Sequence, residues 1–444
     1  MSKHYFPSDL ANFVHNRWEN LISGEYSPPN CPSKKILEKI LEVSYLASLE
    51  MDEGRALTFS ICCTPLSELV KRQNSEELVE TWEFEVDREL VVSELRRLAP
   101  VASTESTSIW ITYSDVPDSQ VSIHGLVNQG SSWAIARRGR AYRYDSPPSA
   151  LIVNILGYGR LSVYQGQYKV ATLSSGQLIR AQTEDMISNQ LVGVHKFLKE
   201  GTNLLRESIE TPIYEHPKEW YGFEWICYIN VLVSIVNVIQ QMNHGGTLVI
   251  SGNNNTESDL KKLFKIKYKI SSKNILSQRY VDYMNIRHKI NDIMTVEEFY
   301  SDQKTEYSDI SDSEKHIIDL SLANSERLLG ESTTLIGNLA GTDGAIILNT
   351  SLEVIGFGAE IISSHEYSNK IYTSKDWFAG KKERFNIEQF GMRHRSAIRL
   401  CASTDNVFAF VISQDGDITL IWRDNKSIMI KRNIDITNAN MVLG

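Results

Sequence analysis

Three short segments of the chain carry side chains suited to phosphate or metal chemistry. The first is Gly341-Thr342-Asp343-Gly344-Ala345, running into the apolar Ile346-Ile347-Leu348. A carboxylate and a glycine stand here where a loop enters a buried strand. Glycine lets backbone approach a ligand closely, and aspartate holds a divalent cation or orients a hydroxyl; taken alone, Asp-Gly before a strand is equally an ordinary turn. The second is Gly391-Met392-Arg393-His394-Arg395, which reads as a loop turning into a helix at Ser396-Ala397-Ile398-Arg399-Leu400. Two guanidiniums and an imidazole beside free backbone N–H groups concentrate anion donors, since Arg grips phosphate oxygens bidentately. In an acidic chain the same residues can pair with surface carboxylates instead. The third, Ser413-Gln414-Asp415-Gly416, closes a strand and offers a hydroxyl to a terminal phosphate or forms a plain hairpin turn.

The elements that must position these groups follow from periodicity. A helix from Trp220 to Met242 meets His244-Gly245-Gly246, a helix stop, and then the buried strand Thr247 to Ile250. Between Ser272 and Leu339 the chain reads as mostly helical, broken by an acidic polar loop at Ser301 to Ser313, with Ile317, Leu320, Leu328, Leu335 and Leu339 forming the apolar face of the last helix. Strands follow at Ala345 to Leu348, Val354 to Ile362, Val407 to Ser413 and Ile418 to Trp422, the last two joined by the hairpin signal Gln414-Asp415-Gly416-Asp417. In the first half an amphipathic helix spans Ser33 to Glu50. Strand texture follows at Leu57 to Cys63, Ser108 to Tyr113 and Ser119 to Gly125, and a glycine-punctuated meander runs from Trp133 to Leu178. The fold class is α/β, mixed α+β. A break at Thr211 to Lys218 divides it into residues 1–215, 216–435 and a tail, 436–444.

Taken together and in order, the three segments resemble the diadenylate cyclase domain family, whose marks are Asp-Gly-Ala, then Gly-Thr-Arg-His-Arg, then a strand ending in Ser-Glu. They stand here as Asp343-Gly344-Ala345, Gly391 to Arg395 and Ser413-Gln414, and Gly246 to Ile250 resembles the apolar strand that opens the family's core. The resemblance covers residues 220 to 430. It implies joining of two ATP molecules into cyclic di-AMP, with Asp343 positioning Mg²⁺ or Mn²⁺ or the attacking 3′-hydroxyl and the Gly344-Ala345 backbone lying against the nucleotide. Arg393, His394 and Arg395 would surround the triphosphate, with Gly391, Met392, Ser413 and Gln414 completing the nucleotide site. It also implies a homodimer or higher oligomer, since one such domain binds one ATP. Three positions depart from the family: Met392 replaces a threonine, Gln414 a glutamate, and Thr342 stands where some members have histidine. A degenerate, nucleotide-reading domain and a cyclase with another product therefore stay open.

Ahead of it, Ile123 to Trp133 and Pro148 to Leu178 resemble sensor modules that precede some diadenylate cyclase domains, with no ligand identified. Arg137, Arg138 and Arg140 suit an anionic effector or a solvated hairpin tip, while His124 and His244 read as structural. The stretch Ile362 to Gly391, with Trp377, Phe378, Lys381, Lys382 and Arg384, reads as a lid or as a solvated or dimer-contact loop.

Composition narrows the setting. A chain of 444 residues with 42% apolar positions can bury an ample core, and a net charge of −9 gives no basic field to draw in DNA. The five cysteines are scattered without a zinc or redox spacing and read as reduced core thiols. The most apolar run, Ile226 to Ile239, is interrupted by Asn230, Ser234 and Asn237 and falls short of the ~20 residues of a spanning helix. With no secretion signal after Met1-Ser2-Lys3-His4-Tyr5-Phe6, the expected location is the cytoplasm, with no membrane contact.

Overall fold

The structure, a computed structural model, describes residues 4–18, 31–52, 54–64, 80–102, 107–113, 121–128, 150–166, 168–180, 192–210, 221–242, 244–271, 275–299, 311–363, 371–374, 382–414 and 416–434. The fold is mixed α and β. It forms two compact units, one within Met1–Glu184 and one within Asp185–Ala439.

In the first unit, α1 (Pro7–Arg17) and α2 (Lys34–Ser48) precede the short pair β1 (Met51–Asp52) and β2 (Arg55–Ala56), then β3 (Thr58–Cys63) and β4 (Glu80–Glu89). After α3 (Val92–Leu98) come β5 (Thr107–Thr112), β6 (Ser122–Asn128), β7 (Leu151–Leu156), β8 (Arg160–Gln165), β9 (Tyr168–Ser174) and β10 (Gln177–Arg180). Eight strands make one sheet in the order β10-β9-β8-β7-β3-β5-β6-β4, with β3 and β5 parallel and the meander β7 to β10 antiparallel. The apolar stripe of α2, with Ile36, Leu37, Ile40 and Leu41, buries against Phe59, Ile61, Ile109, Val153 and Leu161 on one sheet face. The alternate residues carry hydroxyls and an amide: Ser108 donates to Ser60 and Ser60 to Asn154, while Ser162 and Thr172 share a bond of 2.7 Å. Buried polar side chains on these strands are thus paired across the sheet, as burial requires.

The second unit opens with α4 (His195–Arg206), so this helix lies beyond the division, whereas the sequence break sits after it. Its contacts explain the placement. Phe197 packs on Phe408 at 5.0 Å, and Gly201 lies so close to its neighbours that a Cβ there would stand 2.3 Å from the Thr350 carbonyl oxygen and 2.5 Å from the Tyr228 hydroxyl. Then follow α5 (Tyr221–Gln241), β11 (Gly246–Ser251), α6 (Glu257–Leu263), β12 (Phe264–Lys269), α7 (Ile275–Phe299), α8 (Asp312–Asn338), β13 (Ala345–Asn349), β14 (Val354–Ile361), β15 (Ile371–Ser374), β16 (Lys382–Arg384), α9 (Met392–Ser403), β17 (Val407–Ile412), β18 (Ile418–Asp424) and β19 (Ser427–Lys431). Nine strands pair in the order β12-β14-β13-β11-β17-β18-β19-β15-β16. The buried face of α9, with Ala397, Ile398, Leu400 and Cys401, packs with Val249, Ile347, Val411 and Ile421.

The apolar face read for α8 is corrected. Ile317, Leu320 and Leu335 are 60%, 57% and 66% exposed, and the side turned inward carries Ser325, Ser332, Thr333 and Ile336. The cause is close approach to α5: at Gly337 a Cβ would lie 2.5 Å from the Val238 side chain, so small residues fill the seam.

Two predictions follow from this packing. Alanine for glycine inside a helix normally adds about 0.5–1 kcal/mol of stability. At Gly201 we expect the opposite sign, a loss of about 1–3 kcal/mol from overpacking, read by urea unfolding. Burial also pushes the Glu326 carboxyl on α8 up to about 7, with the Arg287 guanidinium pulling the other way. A carboxyl raised in the fold favours folding when protonated, so its contribution is intact below the ordinary 4.5 and is lost as pH rises through about 7. The Glu326→Gln variant should therefore gain stability relative to the native chain between about pH 5 and about pH 8, and a constant difference would contradict that assignment.

Candidate functional site

The register of the central strands brings the three segments to one end of the second sheet. Thr247 of β11 pairs with Ala345 of β13 in parallel and with Val411 of β17 antiparallel, and Val411 pairs with Thr419 of β18. Ala345, Thr247, Val411 and Thr419 thus form one transverse row, spanning on the order of 14 Å at the usual strand spacing. Just beyond that row lie Asp343-Gly344 entering β13, His244-Gly245 entering β11, and Ser413 leaving β17.

Asp343 sits in a turn shaped by Thr342, whose hydroxyl donates to the Leu339 carbonyl at 2.8 Å. Its carboxylate is exposed and has no side-chain partner among the described residues. Gly344 has φ of +122°, and a Cβ there would lie 2.5 Å from the carbonyl carbon of Gly358. Only glycine lets this loop press against β14 while leaving the preceding carboxylate in solvent.

The helix α9 begins at Gly391, beside which a Cβ would meet nothing within 4 Å. The N–H groups of its first turn therefore open onto free space, with the positive end of the helix behind them. Met392 is 78% exposed and brings no hydrogen-bonding group. Arg393 Nη1 donates to the His244 carbonyl at 2.9 Å, and Gly245, at φ +65°, leaves just enough room: a Cβ would stand 2.8 Å from that nitrogen and 2.6 Å from the Ile412 carbonyl oxygen. This contact ties the second segment to the loop entering β11 and to the end of β17. His394 turns inward, with Nε2 3.3 Å from the Thr419 hydroxyl. Arg395 is half-buried, and its guanidinium has no partner among the described residues. The three cation-bearing neighbours thus point three ways, and Arg395 is the one left for an anion.

Ser413 works inside its hairpin. Its hydroxyl donates to the Asp417 carbonyl at 3.1 Å and accepts from the Asp417 N–H at 3.0 Å, while Gln414 beside it faces solvent. Gln240, at the end of α5, donates to the Gly416 carbonyl and fixes the turn from below. Under α9, burial pushes the Cys401 thiol up to about 12, which makes it a packing group with no nucleophilic role near neutral pH. All five cysteines are free thiols and four are buried.

The other sequence candidates separate. Lys382 pairs with Asp424 at 3.0 Å and Arg384 is exposed on β16; Trp377, Phe378 and Lys381 lie outside the described residues, as do Arg137, Arg138 and Arg140. His244 contributes its carbonyl. His124 bonds Asp87 at 2.7 Å and meets the Trp110 ring edge-on; the Asp87 carboxyl is held low first by the Ser122 hydroxyl and then by His124. Sequence reasoning missed Phe390 and Thr419, which flank the His394 ring. The spacing of Phe390 and His394, four apart across a helix start, was the available signal.

Comparison with known proteins bears on the first unit. The family model described as Probable sensor domain DACNV matches residues 26–128, a stretch holding α2 through β6. The chain is similar to a sensor domain over that stretch. No curated protein matches it. Among the described residues no helix is long and apolar enough to cross a membrane.

The division of labour among the arginines is testable with pyrophosphate as probe. Replacing Arg395 by Ala should weaken pyrophosphate binding about tenfold or more in calorimetry, the usual scale for a charge-assisted bond, with the melting temperature unchanged. Arg393→Ala should lower both affinity and melting temperature, because it also frees the His244 loop.

Proposed function

We propose that the second unit is a diadenylate cyclase, condensing two ATP into cyclic di-AMP and two pyrophosphates, and that the first unit regulates it. The observation that carries this reading is the convergence of Asp343, the open start of α9 with Arg395, and the Ser413 hairpin at one end of three adjacent strands. The similarity of residues 26–128 to a probable sensor domain supports a regulatory first unit and, through the association of that domain with diadenylate cyclases, the activity itself.

In this reading the triphosphate lies across the first turn of α9, with Gly391 leaving space, the N–H groups and Arg395 donating to phosphate oxygens, and Arg393 holding the His244-Gly245 wall. Gly344 and Ala345 present backbone to the nucleotide. Gln414 and Ser413 border the outer phosphates, and Met392 leaves one position without a donor. Asp343 orients the ribose 3′-hydroxyl. That oxygen attacks the α-phosphorus of the other ATP and loses its proton as the bond to the β-phosphate breaks and pyrophosphate departs; a second such step closes the ring. Among the described residues no three metal-binding side chains converge, so Mg²⁺ or Mn²⁺ would rest on Asp343 together with substrate phosphates, a donor set that suits magnesium. Such an ion supplies charge neutralisation to the leaving phosphates. Two sites must face each other for ring closure, which makes a homodimer the working unit and gives the first unit a lever through protomer arrangement.

A second reading, a nucleotide-binding domain without turnover, is favoured by the donorless, exposed Met392 and by the engaged hydroxyl of Ser413. Incubation with ATP and Mg²⁺ or Mn²⁺ followed by product mass analysis separates the two. We expect cyclic di-AMP, slowed about a hundredfold or more in Asp343→Asn with ATP binding retained. Bound ATP without product would establish the second reading, and a different cyclic product from mixed nucleoside triphosphates would change the substrate.

A further inference from the structure

We infer that Phe390 and Thr419 are positioning residues for the anion-binding turn of α9, acting through His394; the inference rests on the ATP-binding reading of this site. His394 is the third residue of α9, flanked by the two arginines whose directions decide what the turn can hold. Its imidazole lies flat on the Phe390 ring, with centroids 4.3 Å apart and planes 4° from parallel. Its Nε2 is 3.3 Å from the hydroxyl of Thr419, which is buried in β18. The Phe390 ring is itself held, with Phe385 at 4.8 Å and the Arg432 guanidinium 5.5 Å from its centroid. The imidazole is therefore fixed by a face and by an edge, from a loop and from a strand far apart in sequence.

Successive residues on a helix point about 100° apart. Seating the middle side chain fixes the rotation of the whole first turn, so Arg393 falls on the His244 carbonyl and Arg395 is left for phosphate. A ring that only filled space at position 390 could be replaced by any apolar group of similar volume. A ring that seats His394 cannot, because a flat face is what the imidazole lies on. Thr419 adds direction through the registered row that ends at Val411 and Ala345, so the seat and the Asp343 loop share one reference frame.

The test uses the full chain, with Phe390→Leu and Phe390→Tyr compared, and Thr419→Val with Thr419→Ser as a second pair. Three quantities are read: the proton shifts of the His394 ring, assigned with His394→Gln; the affinities for ATP and for pyrophosphate; and the melting temperature. In the native chain the stacked ring should show an upfield ring-current shift. We expect Phe390→Leu to lose it and to weaken both ligands about tenfold, and Phe390→Tyr to restore both at a similar melting temperature. Thr419→Val should weaken binding and Thr419→Ser recover it. If Leu and Tyr variants bind alike while the native chain binds ATP, the inference is overturned and the site reading stands. If the native chain binds neither ATP nor pyrophosphate, the site reading itself falls and takes the inference with it.

Discussion

The double pairing of β11 is the constraint on which the second unit depends. Gly246–Ser251 holds β13 in parallel on one side and β17 antiparallel on the other, each over its whole length. A slip of one residue on either side would turn Val249 and Ala345, or Val249 and Val411, away from α9 and its core. Because these strands are buried on both faces, the slip would cost far more than the loss of a hydrogen bond, so the register is strongly enforced. Everything at the end of the sheet inherits that precision. The Asp343 loop, the His244 carbonyl and the Ser413 hairpin are short extensions of three strands that have little freedom to move relative to one another.

The helix that completes the site is tied to this frame at two heights. Arg393 reaches the backbone before β11, and His394 reaches a side chain on β18. Both contacts are to strands, so the cationic turn follows the sheet rather than the loop between β16 and α9. Rigid placement of a donor set in a partly dry end of a fold is what electrostatic assistance to phosphoryl chemistry demands, since donors that must reorganise on binding give little net gain.

Much of this was legible in the sequence, for identifiable reasons. The helices α2 and α5 and the strands β11, β13 and β17 declare themselves by apolar periodicity, and the residues at the site by their types. What escaped were elements whose period is masked by charge. β12, at one edge of the second sheet, alternates with Lys265, Lys267 and Lys269, and β4, at one edge of the first, carries Glu83, Glu85 and Asp87 around a bulge. Edge strands are commonly charged because one side faces water, and this hides them from a hydrophobicity reading. The inward face of α8 was misread since close helix packing selected Ser, Thr and Gly over Leu. Thr419 and Phe390 escaped for another reason: their role exists only through register and stacking, which no local pattern encodes.

The bare start of α9 carries a further consequence. Two other helices of the same unit, α6 and α8, begin with Thr256 and Ser311, whose hydroxyls accept from the backbone of their own first turn and whose partners Asp259 and Glu314 answer in return. At Gly391 the backbone angles are ordinary for any residue and the space is empty, so a serine or aspartate would fit there and add about 1 kcal/mol of self-satisfaction to the helix. Such a side chain would also be a resident competitor for the very N–H groups that a phosphate must reach. With glycine, the helix forgoes that internal ligand and keeps its donors vacant for an external one.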